Sequence, residues 1–101
     1  MMTVELKSLE EVRNKIDEID SKIIKLISER ANFVKQAAKF KKNQDAVRAP
    51  KRVEEVIEKV RNLAVKENLD PNIAEDVYRT MINCFINYEL NFRTQKYLSI
   101  A

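Results

Sequence analysis

Residues 9–40 read LEEVRNKIDEIDSKIIKLISERANFVKQAAKF and contain neither proline nor glycine. Apolar side chains recur along this stretch in alternating steps of three and four residues, which is the spacing of one face of an α-helix. Ser8, followed three residues later by Glu11, forms the capping box typical of a helix start. The pattern predicts a helix over about residues 8–41, about 50 Å long at 1.5 Å per residue. Its apolar stripe consists of Leu9, Val12, Ile16, Ile19, Ile23, Leu26, Phe33, Ala37 and Phe40.

Two further helices follow, and a proline stands in the first turn of each. The stretch 41–45 is polar and interrupts the first pattern, after which Pro50 indicates the start of a helix over about 50–67. Pro71 indicates a third helix over about 71–97. No segment shows the alternation of a β-strand. The sequence therefore predicts an all-α fold with three helices in one domain, residues 1–101.

The break between the second and third helices has its own signals. Asn68 is a residue type that adopts the left-handed conformation at a helix end. Asp70, which directly precedes Pro71, is a favoured N-cap. Together these residues predict a short connection that needs no glycine.

The length of the first helix bears on the assembly. A compact domain of this size is roughly 35 Å across, so a helix of about 50 Å overhangs it, and its apolar stripe continues along the overhang. The exposed stripe requires a partner, and a homodimer in which the long helices pack on each other is the simplest solution. The alternative is a helix that is kinked or broken near Ala31 and folds back on its own chain.

Composition excludes several kinds of chemistry. The chain has no glycine, no histidine and one cysteine among 101 residues. P-loops, dinucleotide-binding fingerprints, histidine-based triads, zinc sites and internal disulfides all need residues that are absent. We therefore expect no cofactor and no metal. Any catalysis depends on Arg, Lys, Glu, Asp, Gln, Tyr and hydroxyl groups.

The charge pattern and the hydropathy indicate where the protein acts. Residues 1–9 lack the apolar run of a signal peptide, and no stretch approaches the roughly 18 apolar residues of a membrane span. The formal net charge is +3, and acidic and basic residues interleave. We expect a cytoplasmic protein that binds neither membrane nor nucleic acid. A nucleic-acid binder is the weaker alternative, with a phosphate-binding patch made of Lys35, Lys39, Lys41, Lys42, Arg48, Lys51 and Arg52.

Two charged residues interrupt apolar stripes. Arg30 falls in the stripe of the first helix and Glu89 in that of the third. A buried unpaired charge is costly, so each residue must meet a partner or a charged ligand, and an Arg30–Glu89 ion pair is the purely structural explanation. Lys41 follows Arg30 by 11 residues, almost three helical turns, so we expect both side chains on the same face of the helix. Arg13 precedes Arg30 by 17 residues, about 25 Å along the axis, so it can join the same site only from the other subunit.

The joint spacing Arg13-x-x-Ile16-Asp17-x-Ile19-Asp20, continued to Arg30 and Lys41, resembles the all-helical (AroQ-type) chorismate mutase family. The resemblance extends through Pro50-x-Arg52-Val53 and the break near Asn68, and so covers nearly the whole chain. The stretches 39–41 and 49–53 are most similar to the isochorismate-pyruvate lyase branch, whose members make salicylate for siderophores.

The resemblance implies a three-helix protomer, an intertwined homodimer and a dicarboxylate substrate in two shared sites. Arg30 and the partner's Arg13 correspond to carboxylate clamps. Lys41 corresponds to the cation that contacts a substrate carboxylate and the breaking ether oxygen. Arg52 corresponds to an accessory positive residue at the edge of the site, and Phe85 is expected to line it.

Two positions depart from the family's mutases. Where they commonly carry a glutamate that holds the substrate hydroxyl, this chain has Val53, while Glu54 lies one residue further round the helix. Where they often carry glutamine in the third helix, it has Glu89, which can donate a hydrogen bond only when protonated. Gln95 cannot replace it, because six residues place it on the opposite side of the helix.

The first departure favours the lyase reaction, which converts isochorismate into salicylate and pyruvate, with chorismate mutase activity beside it. Chorismate mutase, which converts chorismate into prephenate for aromatic amino-acid biosynthesis, is the alternative. A non-catalytic helical dimerisation module is the remote alternative. Both reactions are pericyclic and need no covalent intermediate, so the absence of histidine and glycine motifs is compatible with either.

Overall fold

A computed structural model of the chain describes residues 5–100, and the side chains of residues 5–91. No β-strand occurs within this range, which confirms the all-α class. Three of the helices are long, as the sequence predicts, and one is short. The helices are α1 (Leu9–Ala38), α2 (Gln44–Arg48), α3 (Pro50–Lys66) and α4 (Pro71–Ile100).

The start of α1 follows the capping prediction. The backbone N–H of Glu11 donates to the Ser8 hydroxyl oxygen at 3.1 Å. The Glu11 carboxylate accepts in return from the backbone N–H of Lys7 at 2.9 Å, one residue earlier than an ideal capping box uses. Two of the N–H groups at the N-terminal end of the helix are thereby satisfied locally.

The end of α1 differs from the sequence prediction. The helix ends at Ala38. A tight turn follows, with hydrogen bonds from Phe40 N to Ala37 O (3.0 Å) and from Lys41 N to Ala38 O (3.1 Å). The physical reason lies just beyond, since Asn43 adopts an extended backbone and accepts from Ala46 N at 2.8 Å as the N-cap of α2. The chain must leave the first helix to reach this conformation.

Lys41 lies in the turn after α1 and not on the helix, so the helical period no longer relates its direction to that of Arg30. The alternative of a first helix broken near Ala31 is not observed, because α1 is continuous from Leu9 to Ala38.

The apolar stripe of α1 is exposed in the isolated chain, as the overhang argument expects. None of the thirty residues of α1 is buried. Half or more of Ile16, Ile19 and Phe33 is open to solvent (50%, 54% and 69%). An amphipathic helix in water normally buries such a face.

The chain divides into two compact units, one ending at Gln36 and the other beginning at Ala37. In the second unit α3 packs along α4, and α2 contacts α4. The α3–α4 core is small and aliphatic. Its buried cluster contains Val60, Ala64 and Ala74, with Val56 and Tyr78 packed beside it.

The connection between α3 and α4 has the predicted chemistry. Asn68 is in the left-handed region with φ 58°. Leu69 N donates to Ala64 O at 2.9 Å, and Asn68 N donates to Val65 O at 3.2 Å, which together form a Schellman motif. The Asp70 carboxylate then accepts from Asn72 N at 2.9 Å and caps α4. The bend needs no glycine because asparagine tolerates the left-handed conformation.

Some predicted features lie outside the described residues. These are Met1 to Val4 and the side chains of Phe92, Gln95 and Tyr97. Among the residues that are described, none of the helices is long and apolar enough to cross a bilayer.

Candidate active site

Glu89 is the buried charged side chain of the described region, with 8% of its surface exposed. One of its carboxylate oxygens, Oε2, lies 3.3 Å from Nζ of Lys41, whose side chain is 24% exposed. The other oxygen, Oε1, is buried and has no hydrogen-bond partner. The sequence predicted a charge within the apolar stripe at this position, and the structure pairs it with a lysine.

The structure brings Lys41 to Glu89 through three neighbouring features. Lys41 lies in the turn that follows α1, and Asn43 starts α2 two residues later. Val47 is the buried residue of α2, which contacts α4. Ala49 then adopts φ 39° and ψ 59°, and α3 begins at the next residue, Pro50. For a residue other than glycine this conformation costs roughly 1–2 kcal/mol.

The chemistry of the pair follows from its geometry. Charge-assisted N–H···O bonds are usually about 2.7–2.9 Å long, so the 3.3 Å contact is loose and can exchange partners. A buried carboxylate oxygen without a partner is costly, and a ligand donor or a proton on the carboxyl group removes that cost. The pair therefore offers a cation and a buried oxygen side by side. The cation can stabilise negative charge that develops on a ligand atom, and the carboxyl group can hydrogen-bond to the ligand beside it.

Two other predicted site residues belong to the same unit. Phe85 is half-buried and lies one turn before Glu89 on α4. Arg52 is in the first turn of α3 with 68% of its side chain exposed, and its guanidinium lies 3.9 Å from Glu55. A surface ion pair of this length holds the arginine only weakly. Arg52 can therefore turn toward an anion that approaches this end of α3.

The two remaining predicted residues are on α1, in the first unit. Arg13 is exposed and Arg30 is half-buried. They are 17 residues apart, about 25 Å along the helix axis. Two guanidinium groups that far apart on one chain cannot hold one small metabolite. Their substrate-binding roles stay predictions.

The carboxylate of Glu54 is hydrogen-bonded to Arg79 on α4. Arg79 donates to both of its carboxylate oxygens, at 3.0 Å and 2.9 Å. These hydrogen bonds hold the pKa of Glu54 below its ordinary value, against the opposing effect of burial. Val53, at the preceding position, is half-buried. The start of α3 therefore presents a half-buried valine and a glutamate that is already hydrogen-bonded to Arg79.

The network around Arg79 was not predicted from the sequence. Arg79 Nε also donates to Glu75 at 2.7 Å, and Arg61 donates to the same carboxylate at 2.8 Å and to Asn72 at 3.1 Å. The hydrogen bond from Arg79 lowers the pKa of Glu75 as well. The four-residue spacing of Glu75 and Arg79 could have indicated their pair. Contacts between α3 and α4 leave no such local signal.

Val47 was also not predicted to matter. It follows the polar stretch 41–45, which breaks the helical pattern, and the only local signal is the short apolar pair of Ala46 and Val47. Among the described residues, no group of three or more His, Cys, Asp or Glu side chains is arranged to hold a metal ion.

Comparison with known proteins places the chain among a defined set of enzymes. Residues 12–90 match the protein family described as chorismate mutase type II. A chorismate mutase from Methanocaldococcus jannaschii is 36% identical to this chain over 78 residues, which cover 76% of this chain and 79% of that protein. An isochorismate pyruvate lyase from Pseudomonas aeruginosa is 29% identical over 87 residues, which cover 86% of each.

Proposed function

The chain belongs to the type II chorismate mutase family, and on that premise we propose that it catalyses a cofactor-free pericyclic reaction of an isochorismate- or chorismate-type dicarboxylate. Its principal reaction in this proposal is that of an isochorismate-pyruvate lyase, which releases pyruvate and leaves salicylate. Chorismate mutase activity accompanies it. The observation that carries the proposal is the Lys41–Glu89 pair, with its second carboxylate oxygen buried and without a hydrogen-bond partner.

The pair has the properties that such a reaction needs. Negative charge builds on the ether oxygen as its bond to carbon breaks, and a fixed ammonium group stabilises that charge. Lys41 takes this role. Glu89, when protonated, donates a hydrogen bond from Oε1 to the same oxygen, and no covalent intermediate is required.

Binding of the two carboxylates falls to the arginines. We assign the clamps to Arg30 and the partner's Arg13, because a guanidinium fork matches the two oxygens of a carboxylate. The distance of about 25 Å between these positions on one helix supports the use of a second subunit. The exposed apolar stripe of α1 supports the homodimer, because its association buries that stripe. Arg52 and Phe85 complete the site at its edge and wall.

The start of α3 supports lyase over mutase as the principal reaction. Val53 offers no hydrogen-bond acceptor for a substrate hydroxyl. Glu54 does not replace the missing carboxylate, because both of its oxygens already accept from Arg79. A reaction in which α3 need not hold the hydroxyl therefore suits this chain better.

Chorismate mutase is the second candidate for the principal reaction. The observation that favours it is the 36% identity to the chorismate mutase of Methanocaldococcus jannaschii. Both reactions need the same cation and the same carboxylate clamps, so the two candidates differ in substrate preference and share one site.

One assay tests the proposal. Purified protein is incubated separately with isochorismate and with chorismate, and salicylate and prephenate are followed. Salicylate formed with the higher kcat/KM supports the lyase assignment, and prephenate formed with the higher kcat/KM supports the mutase. If neither product forms, the enzymatic proposal is overturned, and the helical dimerisation module is the function that remains.

A further inference from the structure

The helix α2 is too short to be stable by itself. It has five residues, whereas isolated helices in water need about a dozen or more to be marginally stable. Its stability must come from its contacts with α4, and Val47 supplies its buried side chain. Only 2% of Val47 is exposed, which makes it the most buried apolar residue of the described core.

The position of α2 is also restricted at both of its ends. The Asn43 side chain caps its first turn, and Ala49 closes it with a backbone N–H bond to Asp45 O. Ala49 is held in the left-handed region immediately before Pro50, the first residue of α3. A conformation of this kind persists where the surrounding structure determines it, here the docked α2 on one side and the packed α3 on the other.

Lys41 lies six residues before Val47, in the turn that leads into α2. Its Nζ is 3.3 Å from Glu89 on α4, the same helix that α2 contacts. One helix therefore provides both the carboxylate that Lys41 meets and the surface on which α2 is docked. The segment between Lys41 and Val47 is short, so the docking of Val47 restricts how far the ammonium group can move.

We propose that Val47 is a positioning residue, whose docking against α4 holds the Lys41 ammonium beside Glu89. The catalytic part of this inference rests on the proposed function. The positional part does not, because it concerns the free protein. Without the valine, α2 leaves α4 and the Lys41 side chain samples solvent. The enzyme then loses the cation at the reacting oxygen but keeps its α3–α4 core.

The test compares two variants with the same chemical change. Val47→Ala and Val60→Ala each remove two buried methyl groups, one from α2 and one from the α3–α4 core. Both are expected to lower thermal stability. Only Val47→Ala is expected to lower kcat, by at least about tenfold, because small misplacements of a catalytic group are costly. Val47→Ile, which keeps the buried branched side chain, should restore kcat to within about threefold of the original protein.

A second readout needs no substrate. The folded proteins are treated briefly with an amine-acylating reagent, and mass spectrometry compares the labelling of Lys41 with that of the exposed neighbour Lys42. The Lys41-to-Lys42 ratio should rise severalfold in Val47→Ala and remain unchanged in Val60→Ala. An unchanged ratio in folded Val47→Ala, or a ratio that rises equally in both variants, would overturn the inference.

The outcomes separate the two proposals. If the original protein converts neither substrate, the proposed function fails, and the labelling ratio still decides the role of Val47. If the protein is active and folded Val47→Ala keeps its kcat, the positioning role fails and the proposed function stands. If Val47→Ala does not fold, the same two measurements are made on Val47→Thr, which keeps the shape of the side chain and weakens docking through its hydroxyl group.

Discussion

Lys41 is the residue on which the proposed chemistry depends most. Its ammonium group lies beside the buried Glu89 carboxylate, and it is the cation assigned to the breaking ether oxygen. We expect Lys41→Ala to lower kcat by about 10²–10³-fold, the usual effect of removing one preorganised electrostatic contact. The measurement is steady-state turnover of the substrate that the enzyme prefers.

Lys42→Ala is the matched control for this change. Lys42 is the adjacent, exposed lysine and should give turnover within about twofold of the original protein. Gel filtration should show the same assembly for all three proteins. Near-normal turnover in Lys41→Ala would remove this lysine from the catalytic assignment.

The carboxyl group of Glu89 provides a second prediction. Glu89→Gln keeps the size of the side chain and carries an N–H donor that can take the position of Oε1. We expect Glu89→Gln to keep turnover and Glu89→Ala to lower kcat by at least about tenfold, because only the second change removes the donor. Steady-state turnover measures both, and equal kcat values for the two variants would contradict the donor role.

The sequence predicts which charged residues interrupt the apolar stripes better than it predicts their pairing. Glu89 can be identified because a carboxylate interrupts an apolar helical stripe. Its partner depends on where the turn after α1 brings Lys41, and that position follows from contacts distant in sequence. From the sequence, Arg30 is the structural candidate for a pair with Glu89, and the ion pair between Lys41 and Glu89 is not anticipated.

At the scale of elements, the ion-pair network between α3 and α4 predicts a response to acid. The pKa values of Glu54 and Glu75 are lowered in the folded protein relative to the ordinary value of 4.5, because Arg79 donates hydrogen bonds to both carboxylates. The folded state therefore binds fewer protons than the unfolded state in this range. The network stabilises the fold above about pH 4.5, and this stabilisation is lost as pH falls through the lowered values.

Arg79→Met tests whether the ion-pair network loses its contribution to stability as pH falls. It should lower the thermal midpoint at pH 7 and make a smaller difference at pH 3, because the contribution of the carboxylates fades as pH falls through their lowered pKa values. Lys59→Met changes an exposed residue of α3, and it should leave both midpoints within about a degree. A loss of the same size at both pH values would assign the effect of Arg79 to packing.

The connection between α2 and α3 gives a prediction about glycine. Ala49 has φ 39°, where glycine avoids the steric cost of a Cβ atom. Ala49→Gly should raise the free energy of unfolding by up to about 1 kcal/mol. Ala31→Gly, in the middle of α1, should lower it by about 1 kcal/mol. Chemical denaturation measures both values, and a loss in both would show that Ala49 carries no strain.

Element boundaries are predictable where capping is local. Pro50 and Pro71 begin their helices as the sequence indicates, and Asn68 ends α3 in the predicted left-handed conformation. The sequence extends α1 by three residues and does not predict α2. The reason is that α2 depends on its contacts with α4 and on one buried residue, Val47, and hydrophobic periodicity is not detectable in a five-residue helix.

At the scale of the whole molecule, the proposed sharing of sites has a direct test. Arg13→Ala and Lys41→Ala should each be inactive, because every site then lacks one group. When the two are mixed and allowed to exchange subunits, each heterodimer contains one intact site and one with both defects. About one quarter of the original activity should return, since half of the dimers are mixed and each has one working site.

Mixing Lys41→Ala with Arg30→Ala is the matched control. Both residues are assigned to the same protomer's half of a site, so every site in that mixture lacks one of them. No activity should return. Recovery in this control, or none in the first mixture, would contradict the borrowed arginine.

The exposed stripe of α1 also has a consequence for the order in which the protein folds. The α3–α4 hairpin has its contacts close in sequence and a core of its own, so it can form quickly without a second chain. Since α1 buries none of its residues within the chain, the proposed homodimer would cover its apolar face only after two chains meet. Refolding should therefore show a fast phase independent of concentration, followed by a bimolecular phase whose rate increases with the amount of protein.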